Sequence, residues 1–331
     1  MIEAIHLEKT FGSFQAVRDL SLDVGEGELV ALLGPNGAGK TTTVRMLAAI
    51  LQPTGGSARI GGYDVVADAQ KVRQRVGLLT EFPGLYLRMK PLEYLTFFGQ
   101  LQGLSRHDCL HRGESLLKRF DLWDARNKRL DAYSKGMKQK MALLRAMIHD
   151  PPVLYLDEPT TAMDPHSARV VRDAIAELRA ARRTVLLTTH NLLEAEALAD
   201  RIVVIFGGKI IAQGTIAELT HDLMGEPVWE LRIGGDSAGL DPAFDGLAPI
   251  IERGDTWLHY RCGTPARTNP VLLDRLHARG VPVISLSELP RRLEDVYLSI
   301  VGERHAERGT WSQAGVAAVL EAEPELQEIA E

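Results

Sequence analysis

Residues 28–43 read ELVALLGPNGAGKTTT, an apolar run followed by a glycine-rich loop and then by threonines that open a helical pattern. The loop matches the pattern G-x-x-x-x-G-K-[ST], whose glycines let successive backbone N–H groups turn inward toward phosphate oxygens. The helix behind the loop adds the positive end of its dipole. The alternative is a glycine-rich turn that matches by chance, but a preceding strand and a following helix are the context that phosphate binding needs. The stretch therefore predicts a nucleotide-binding α/β domain.

Individual positions of this loop have predicted parts in binding a nucleotide. Lys40 can reach the β- and γ-phosphates, and the hydroxyl of Thr41 can bind Mg²⁺. The other predicted phosphate contacts come from the rest of the motif: Gly34, Pro35, Asn36, Gly37, Ala38, Gly39 and Thr42. Since the loop alone does not separate kinases, GTPases and motor ATPases, the choice of ATP depends on further motifs.

A second element is the run VLYLDEP at 153–159, an apolar strand that ends in two adjacent carboxylates. Asp157, at the carboxyl end of the strand, suits a partner of Mg²⁺, directly or through water. Glu158 suits a group that polarises the water attacking a phosphoryl group. The alternative is an acidic pair that merely opens a loop, but a phosphate loop in the same chain favours the catalytic interpretation.

The composition limits the class of protein. The chain has 331 residues, 45% of them hydrophobic and 25% charged, which predicts two globular domains or one domain of about 220 residues with an appendage. A net charge of −6 does not indicate a general nucleic-acid binder. The two cysteines, Cys109 and Cys262, lie too far apart in sequence to suggest a disulfide framework or a zinc site. We find no signal-peptide pattern and no membrane-spanning apolar run, so we expect a cytoplasmic protein.

The order of the periodic segments predicts the domain organisation. Short strands over 1–33 precede a helix from Lys40 to Ile50, and 55–62 and 75–80 then predict two more strands. Residues 86–150 show helical periodicity and predict a helical subdomain. Three apolar, β-branched-rich runs alternate with helices after it, as in a parallel sheet whose two faces are buried: 152–159, 184–190 and 201–206.

Residues 221–302 predict a small α+β appendage. Its expected strands are VWELRI, TWLHYR and VPVIS, and its expected helices are NPVLLDRLHARG and LPRRLEDVYLSIVG. The last helix would place Leu293, Val296, Tyr297 and Ile300 on one face, which would pack on the appendage's own sheet or on a second subunit. Residues 303–331 are rich in Ala and Glu and predict a solvated or partly helical tail.

Four motifs, in this order, resemble those of the ATP-binding-cassette (ABC) ATPases over about residues 1–220. GPNGAGKTTT resembles their phosphate loop, YSKGM at 133–137 their signature, VLYLDEPTTAMDP their second carboxylate motif with the loop after it, and TTH at 188–190 their switch histidine. The resemblance implies an α/β P-loop NTPase core with a RecA-like mixed sheet, an antiparallel β subdomain and a helical signature subdomain. It also implies two chains facing head to tail, with ATP between the phosphate loop of one and the signature of the other.

The resemblance also assigns roles to single residues. Glu158 and His190 become catalytic, although a histidine after a strand can also be just a satisfied polar residue. Phe11 stacks on adenine with Val17 as its apolar neighbour, although a core role for Phe11 is the alternative. The signature contacts the γ-phosphate held by the other subunit through Ser134, Lys135, Gly136 and Met137. In the loop after Glu158, Asp164 contacts the other subunit across the dimer.

Three positions depart from the family's usual pattern. Glu81 stands after the strand RVGLLT where Gln is usual, and it is expected to reach Mg²⁺ or a water. Lys135 replaces the first Gly of the signature, and Met137 replaces its final Gln. A lysine near a γ-phosphate is favourable by about 1 kcal/mol in a water-like dielectric.

The signature YSKGMKQ, the single cassette and the appendage look like the ATPase subunits of ABC-2-type exporters. This resemblance implies a homodimer on the cytoplasmic face of the cell membrane, bound to a separate transmembrane permease and not to nucleic acid. Two other classes of protein are alternatives. A soluble cassette ATPase of DNA repair or translation would carry long coiled coils or a second cassette, and a small-molecule P-loop kinase would have no use for the signature or for TTH.

Overall fold

The computed structural model describes residues 1–80, 84–161, 163–289, 294 and 297, without the side chains of residues 223 and 224. The chain divides into two compact units, Met1–Ile216 and Ala217–Glu331. The predicted boundary at residue 220 lies four residues beyond the end of the first unit.

The first unit contains a six-stranded sheet and a four-stranded sheet. Its strands are β1 (Ile2–Phe11), β2 (Phe14–Val24), β3 (Leu29–Leu33), β4 (Gly55–Ile60), β5 (Tyr63–Asp64), β6 (Val76–Leu79), β7 (Val153–Asp157), β8 (Thr184–Thr189), β9 (Arg201–Phe206) and β10 (Lys209–Gly214). The larger sheet has the order β10-β9-β3-β8-β7-β6. Its strands are parallel except β10, which pairs antiparallel with β9. The carboxyl ends of β3, β7 and β8 therefore lie at one edge.

Both faces of this larger sheet are buried, as the near-continuous apolar runs predict. Along β7, Leu154 and Leu156 belong to one hydrophobic core, and Val153 and Tyr155 belong to the other. The first core joins the sheet to the helical subdomain. The second joins it to the smaller, antiparallel sheet, whose order is β2-β1-β4-β5. The mixed sheet, the antiparallel subdomain and the helical subdomain confirm the predicted α/β P-loop NTPase ABC-ATPase architecture.

Helices pack around the larger sheet. They are α1 (Lys40–Leu47), α2 (Ala69–Arg75), α3 (Pro91–Leu101), α4 (Arg106–Arg119), α5 (Lys135–Met147), α6 (Pro165–Ala180) and α7 (Leu192–Leu198). Helices α3 to α5 form the helical subdomain within the predicted range of 86–150. Polar side chains cap four of the seven helices at their N-termini: Ser105, Ser134, Asp164 and Asn191.

The second unit contains a separate antiparallel sheet. Its elements are α8 (Ile216–Met224), β11 (Val228–Ile233), α9 (Asp241–Phe244), β12 (Ile250–Arg253), β13 (Trp257–Arg261), α10 (Pro265–Ala278) and β14 (Val283–Glu288), with the sheet order β12-β13-β11-β14. One face packs on α9 and α10 through a core that includes Leu231, Tyr260 and Leu272. Of the predicted helix at 289–302, the structure describes only Leu289, which is not helical, and Glu294 and Tyr297, which are; the tail at 303–331 lies outside the described residues.

Some elements differ from the sequence prediction. Strands β1 and β2 run for ten and eleven residues, longer than predicted, because irregular pairing lets the polar stretch around His6 and Asp19 continue the ladder. Helices α2 and α9 and strand β12 were not predicted, since each is short and shows little apolar periodicity. Cys109 and Cys262 are both buried and unpaired. Within the described residues no helix is both long and apolar enough to cross a bilayer.

Candidate nucleotide-binding site

The candidate site lies where β3, β7 and β8 end. The phosphate loop follows β3, Asp157 and Glu158 follow one another at the end of β7, and His190 comes directly after β8. Because β3 pairs with β8 and β8 pairs with β7, all three in parallel, the topology collects these groups at one edge. This is the edge at which open α/β sheets bind their ligands.

The phosphate loop is shaped by glycines that no other residue could replace without a shift. Gly39 has φ +105°, and a Cβ there would lie 2.7 Å from the carbonyl oxygen of Ala16. A Cβ on Gly34 would lie 2.3 Å from the carbonyl oxygen of Ile205. The loop is thus pressed against β2 on one side and β9 on the other. Its backbone follows a path that leads directly into the N-terminus of α1.

Lys40 begins α1 and is almost fully buried. Its ammonium donates to the carbonyl oxygens of Gly34 at 2.6 Å and Pro35 at 3.3 Å. It also lies 3.7 Å from Oε1 of Glu158. The lysine therefore connects the start of the phosphate loop to the carboxylate after β7, and its contact with phosphates stays a prediction.

Asp157 is buried at the end of β7 and is contacted by two hydroxyls. Thr188 donates to its Oδ1 at 2.5 Å, and Thr41 donates to the same oxygen at 3.3 Å. Among the described residues no cluster of three or more His, Cys, Asp or Glu side chains could hold a metal. Mg²⁺, however, is usually bound by one or two protein oxygens together with waters and phosphates. The hydroxyl of Thr41 beside the carboxylate of Asp157 is a donor set that fits this ion.

Glu158 has an unusual backbone conformation and several polar contacts. Its φ is +52°, which is uncommon for a residue with a Cβ and recurs at functional sites. Its backbone N–H donates to the carbonyl oxygen of Thr188 at 3.1 Å, and its Oε2 accepts from the hydroxyl of Thr161 at 2.9 Å. Its Oε1 is buried and accepts no hydrogen bond from the described residues.

The charge of Glu158 is set by its neighbours. Burial by itself would raise the pKa of this carboxyl group. The hydrogen bond and positive charge of His190, the ammonium of Lys40 and the hydroxyl of Thr161 outweigh burial and hold the pKa below its ordinary value. The side chain therefore stays ionised throughout the neutral range, as a group that polarises water must be.

His190 completes the edge of the sheet. Its Nδ1 lies 2.9 Å from Oε2 of Glu158, and its side chain is 40% exposed. The imidazole is thus fixed at one ring nitrogen by the carboxylate while part of the ring faces solvent. The structure therefore places His190 beside Glu158, and its catalytic role stays a prediction.

The signature residues lie at the N-terminus of α5. The side chain of Ser134 accepts from the backbone N–H of Met137 at 3.2 Å, and Lys135 is exposed on the first turn. A Cβ on Gly136 would lie 3.2 Å from Oγ of Ser167 and 3.6 Å from Oδ2 of Asp164. Asp164 accepts from the backbone N–H of Ser167 at 2.9 Å. The signature and the Asp164 loop of one chain therefore form a single surface, with the N-terminus of α5 open to solvent.

The predicted adenine contacts differ in exposure. Phe11 is 48% exposed at the β1–β2 turn, and the ammonium of Lys9 lies 5.1 Å from its ring centroid. Its ring is therefore available for stacking and is not part of the core. Val17 is fully buried and would contact a Cβ on Gly39 at 3.4 Å. The structure places Val17 beneath the phosphate loop, where it packs, and does not expose it beside Phe11.

One predicted site residue is not described by the structure, and several residues of the site were not predicted from the sequence. Glu81 lies outside the described residues. Sequence reasoning missed the hydroxyls of Thr160, Thr161, Thr188 and Thr189 and the buried carboxyl of Glu194. The pairs of threonines in EPTT and TTH, each close to a predicted catalytic residue, were the available signal.

Comparison with known proteins gives a consistent result. A family model described as ABC transporter matches residues 17–161. The daunorubicin/doxorubicin resistance ATP-binding protein DrrA of Streptomyces peucetius is 37% identical over 93% of this chain and 94% of its own length. Nod factor export ATP-binding protein I of Cupriavidus metallidurans is 35% identical over 91% of this chain and 97% of its own. A solved ATP-binding subunit of an ABC transporter has a TM-score of 0.64 and 30% identity, covering 68% of this chain and 94% of that one.

Proposed function

We propose that this chain, which belongs to the ABC transporter family of ATP-binding proteins, binds ATP at the edge of the parallel sheet and hydrolyses it with Glu158 and His190. The observation that carries this proposal is the position of Glu158. It is buried and ionised, and it lies between the phosphate-loop lysine and an imidazole. Phosphate release from Mg-ATP by the purified chain, without any acceptor substrate, tests the proposal and excludes a small-molecule kinase.

The residues at the site divide the chemistry between them. Backbone N–H groups of the phosphate loop and Lys40 bind the phosphates, and Phe11 stacks on adenine. Thr41 and Asp157 would hold Mg²⁺, which supplies positive charge that neutralises the phosphates. Glu158 orients and polarises the attacking water, and His190 holds Glu158 through its Nδ1 while the exposed part of its ring contacts the γ-phosphate.

The signature serves a second copy of the chain in this proposal. The N-terminus of α5 faces solvent, next to the cap of α6, so a phosphate bound by the partner can approach it. Charge-assisted hydrogen bonds from Ser134, Lys135 and the first backbone N–H groups would each contribute about 1.5–3 kcal/mol. Two ATP molecules would then hold two chains head to tail, and hydrolysis would release them.

Mixing two inactive variants tests whether the site is shared. Lys40→Ala removes the phosphate-loop lysine, and Ser134→Glu places a negative charge where the partner's γ-phosphate is expected, so each variant alone should hydrolyse little ATP. A mixed dimer contains one site in which both elements are intact. Random pairing makes about half of the dimers mixed, and in each of these one of the two sites is intact. We therefore expect the equimolar mixture to recover about a quarter of the parental rate. Steady-state phosphate release measures it, and a mixture no more active than its two components would contradict the shared site.

We place the permease contact at a groove between α3, α5, β6 and the end of α1. A cavity of about 210 Å³ lies there, and its lining includes Ile50, Phe98, Arg73 and Arg145. Ile50 and the nearby Leu101 of α3 are 59% and 65% exposed. An apolar side chain on a cytoplasmic segment of the permease, flanked by an acidic residue, would match this apolar floor and its arginines.

A charge placed in the groove should weaken this contact. We expect Ile50→Asp to reduce copurification with the permease while hydrolysis by the isolated chain is retained, because Ile50 lies outside the nucleotide site. Ile5→Asp is the matched control, since Ile5 is 56% exposed on the antiparallel sheet. Pull-down of the tagged permease in mild detergent compares the two variants. An equal effect of both substitutions would contradict the assignment of the groove.

The proposed membrane system is an ABC-2-type exporter, with this chain peripheral on the cytoplasmic face. The two relatives described above support this class, since one is named for resistance to a drug and the other for export of Nod factor. Their names differ in cargo although both are ATP-binding proteins, so we propose that the permease sets the cargo. Coexpression with a multispanning protein that copurifies with this chain, followed by ATP-dependent transport in inverted vesicles, tests the class.

A further inference from the structure

A buried carboxyl group lies behind the catalytic pair and has no part in the chemistry described so far. Glu194, in the first turn of α7, is 2% exposed. Burial raises its pKa above the ordinary value, and the negative charge of Glu158 acts in the same direction against the two hydroxyl groups that stabilise the carboxylate. Burying a carboxyl group in this position costs folding free energy, and a leucine of similar size would fill the space at a smaller free-energy cost.

The two oxygens of Glu194 bind two different segments. Oε1 accepts from the hydroxyl of Thr160 at 2.7 Å, and Oε2 accepts from the hydroxyl of Thr189 at 2.8 Å. Thr160 is two residues after Glu158, and Thr189 immediately precedes His190. One side chain therefore joins the loop that carries the carboxylate to the strand end that carries the imidazole.

The turn after His190 strengthens this connection. The hydroxyl of Thr189 also accepts from the backbone N–H of Asn191 at 3.0 Å, and the side chain of Asn191 accepts from the backbone N–H of Glu194 at 3.2 Å. Glu194 is thus fixed to the segment of His190 through both its backbone and its side chain. Its bond to Thr160 is the link that reaches across to the Glu158 loop.

We propose that Glu194 is a positioning residue for ATP hydrolysis, which holds Thr160 against Thr189 so that Glu158 and His190 keep their 2.9 Å contact. It touches no reacting atom and acts through the two threonines. The inference rests on the proposed roles of Glu158 and His190. It adds that the loop after β7 and the end of β8 are held as one unit, whose disruption affects turnover and not nucleotide affinity.

Glu194→Leu tests this role because it keeps the volume and removes both acceptors. We expect kcat to fall about 10–100-fold, since a displacement of about 1 Å in a catalytic group can cost 10²-fold. The dissociation constant for ATP should stay within about twofold, because Glu194 does not contact the phosphate loop. Phosphate release gives kcat, a fluorescent ATP analogue gives the affinity, and circular dichroism confirms folding. Glu196→Leu, on the same helix but partly exposed, is the control and should leave kcat unchanged.

A double-mutant cycle separates positioning from general packing. Thr160→Val removes the hydroxyl that Glu194 binds, so it should lower kcat alone but add little in the Glu194→Leu background. Glu194→Gln keeps one acceptor and should give an intermediate kcat; it replaces the leucine variant if that variant fails to fold. A kcat within about twofold of the parent, or effects that multiply in the double variant, would overturn the proposal. If the parent chain released no phosphate, the proposed function itself would be contradicted instead.

Discussion

Glu158→Gln is expected to reduce ATP hydrolysis by about 10²–10⁴-fold, the range that positioned general bases contribute, while ATP still binds. Glutamine has the same size but cannot carry the negative charge that Lys40 and His190 stabilise. The water is then no longer polarised, whereas the phosphate loop is untouched. ATP should remain in the site, and the variant should accumulate as an ATP-bound dimer.

The dimer gives this prediction a readout that does not depend on turnover. Size-exclusion chromatography with light scattering in Mg-ATP should show Glu158→Gln as a dimer and the same protein without nucleotide as a monomer. Glu3→Gln, an equivalent exchange on the exposed side of β1, should behave as the parent does. If Glu158→Gln stayed monomeric in Mg-ATP, the model of ATP held between two isolated chains would be wrong. If it kept the parental rate of hydrolysis, another group would have to activate the water.

The parts of the site that local sequence encodes were predictable. The loop at 34–43 fixes its own shape through glycines, and its place between a strand and a helix follows from apolar periodicity. Asp157 and Glu158 are adjacent in sequence, so their common place at a strand end needs only the strand. His190 could be predicted as a site residue only because four motifs occur in the order of a known family. A histidine after a strand does not by itself indicate a functional site.

What could not be predicted depends on contacts between distant segments. Glu194 and Thr160 are 34 positions apart, and their hydrogen bond follows from the pairing of β7 with β8, which no local pattern specifies. The burial of Val17 has a similar origin, because Gly39 of the phosphate loop lies against this residue of β2. Glu158, whose φ is positive, also donates a backbone hydrogen bond to Thr188 on the neighbouring strand. Apolar patterning reveals strands, but the partners of single polar groups appear only once the sheet order is known.

Lys40→Ala is expected to weaken ATP binding about 10–150-fold, which corresponds to the 1.5–3 kcal/mol of hydrogen bonds to a charged group. The ammonium of Lys40 is buried against the carbonyl oxygen of Gly34, where it would help the phosphate loop to bind phosphate. Its loss also removes one of the positive charges that lower the pKa of Glu158, whose carboxylate keeps His190 as its nearest cation. Hydrolysis should therefore fall together with affinity, unlike in Glu158→Gln. Equilibrium binding of a fluorescent ATP analogue measures the loss, with Lys71→Ala on the exposed side of α2 as the control. An affinity equal to that of the control would show that the loop at 34–43 does not bind phosphate through Lys40.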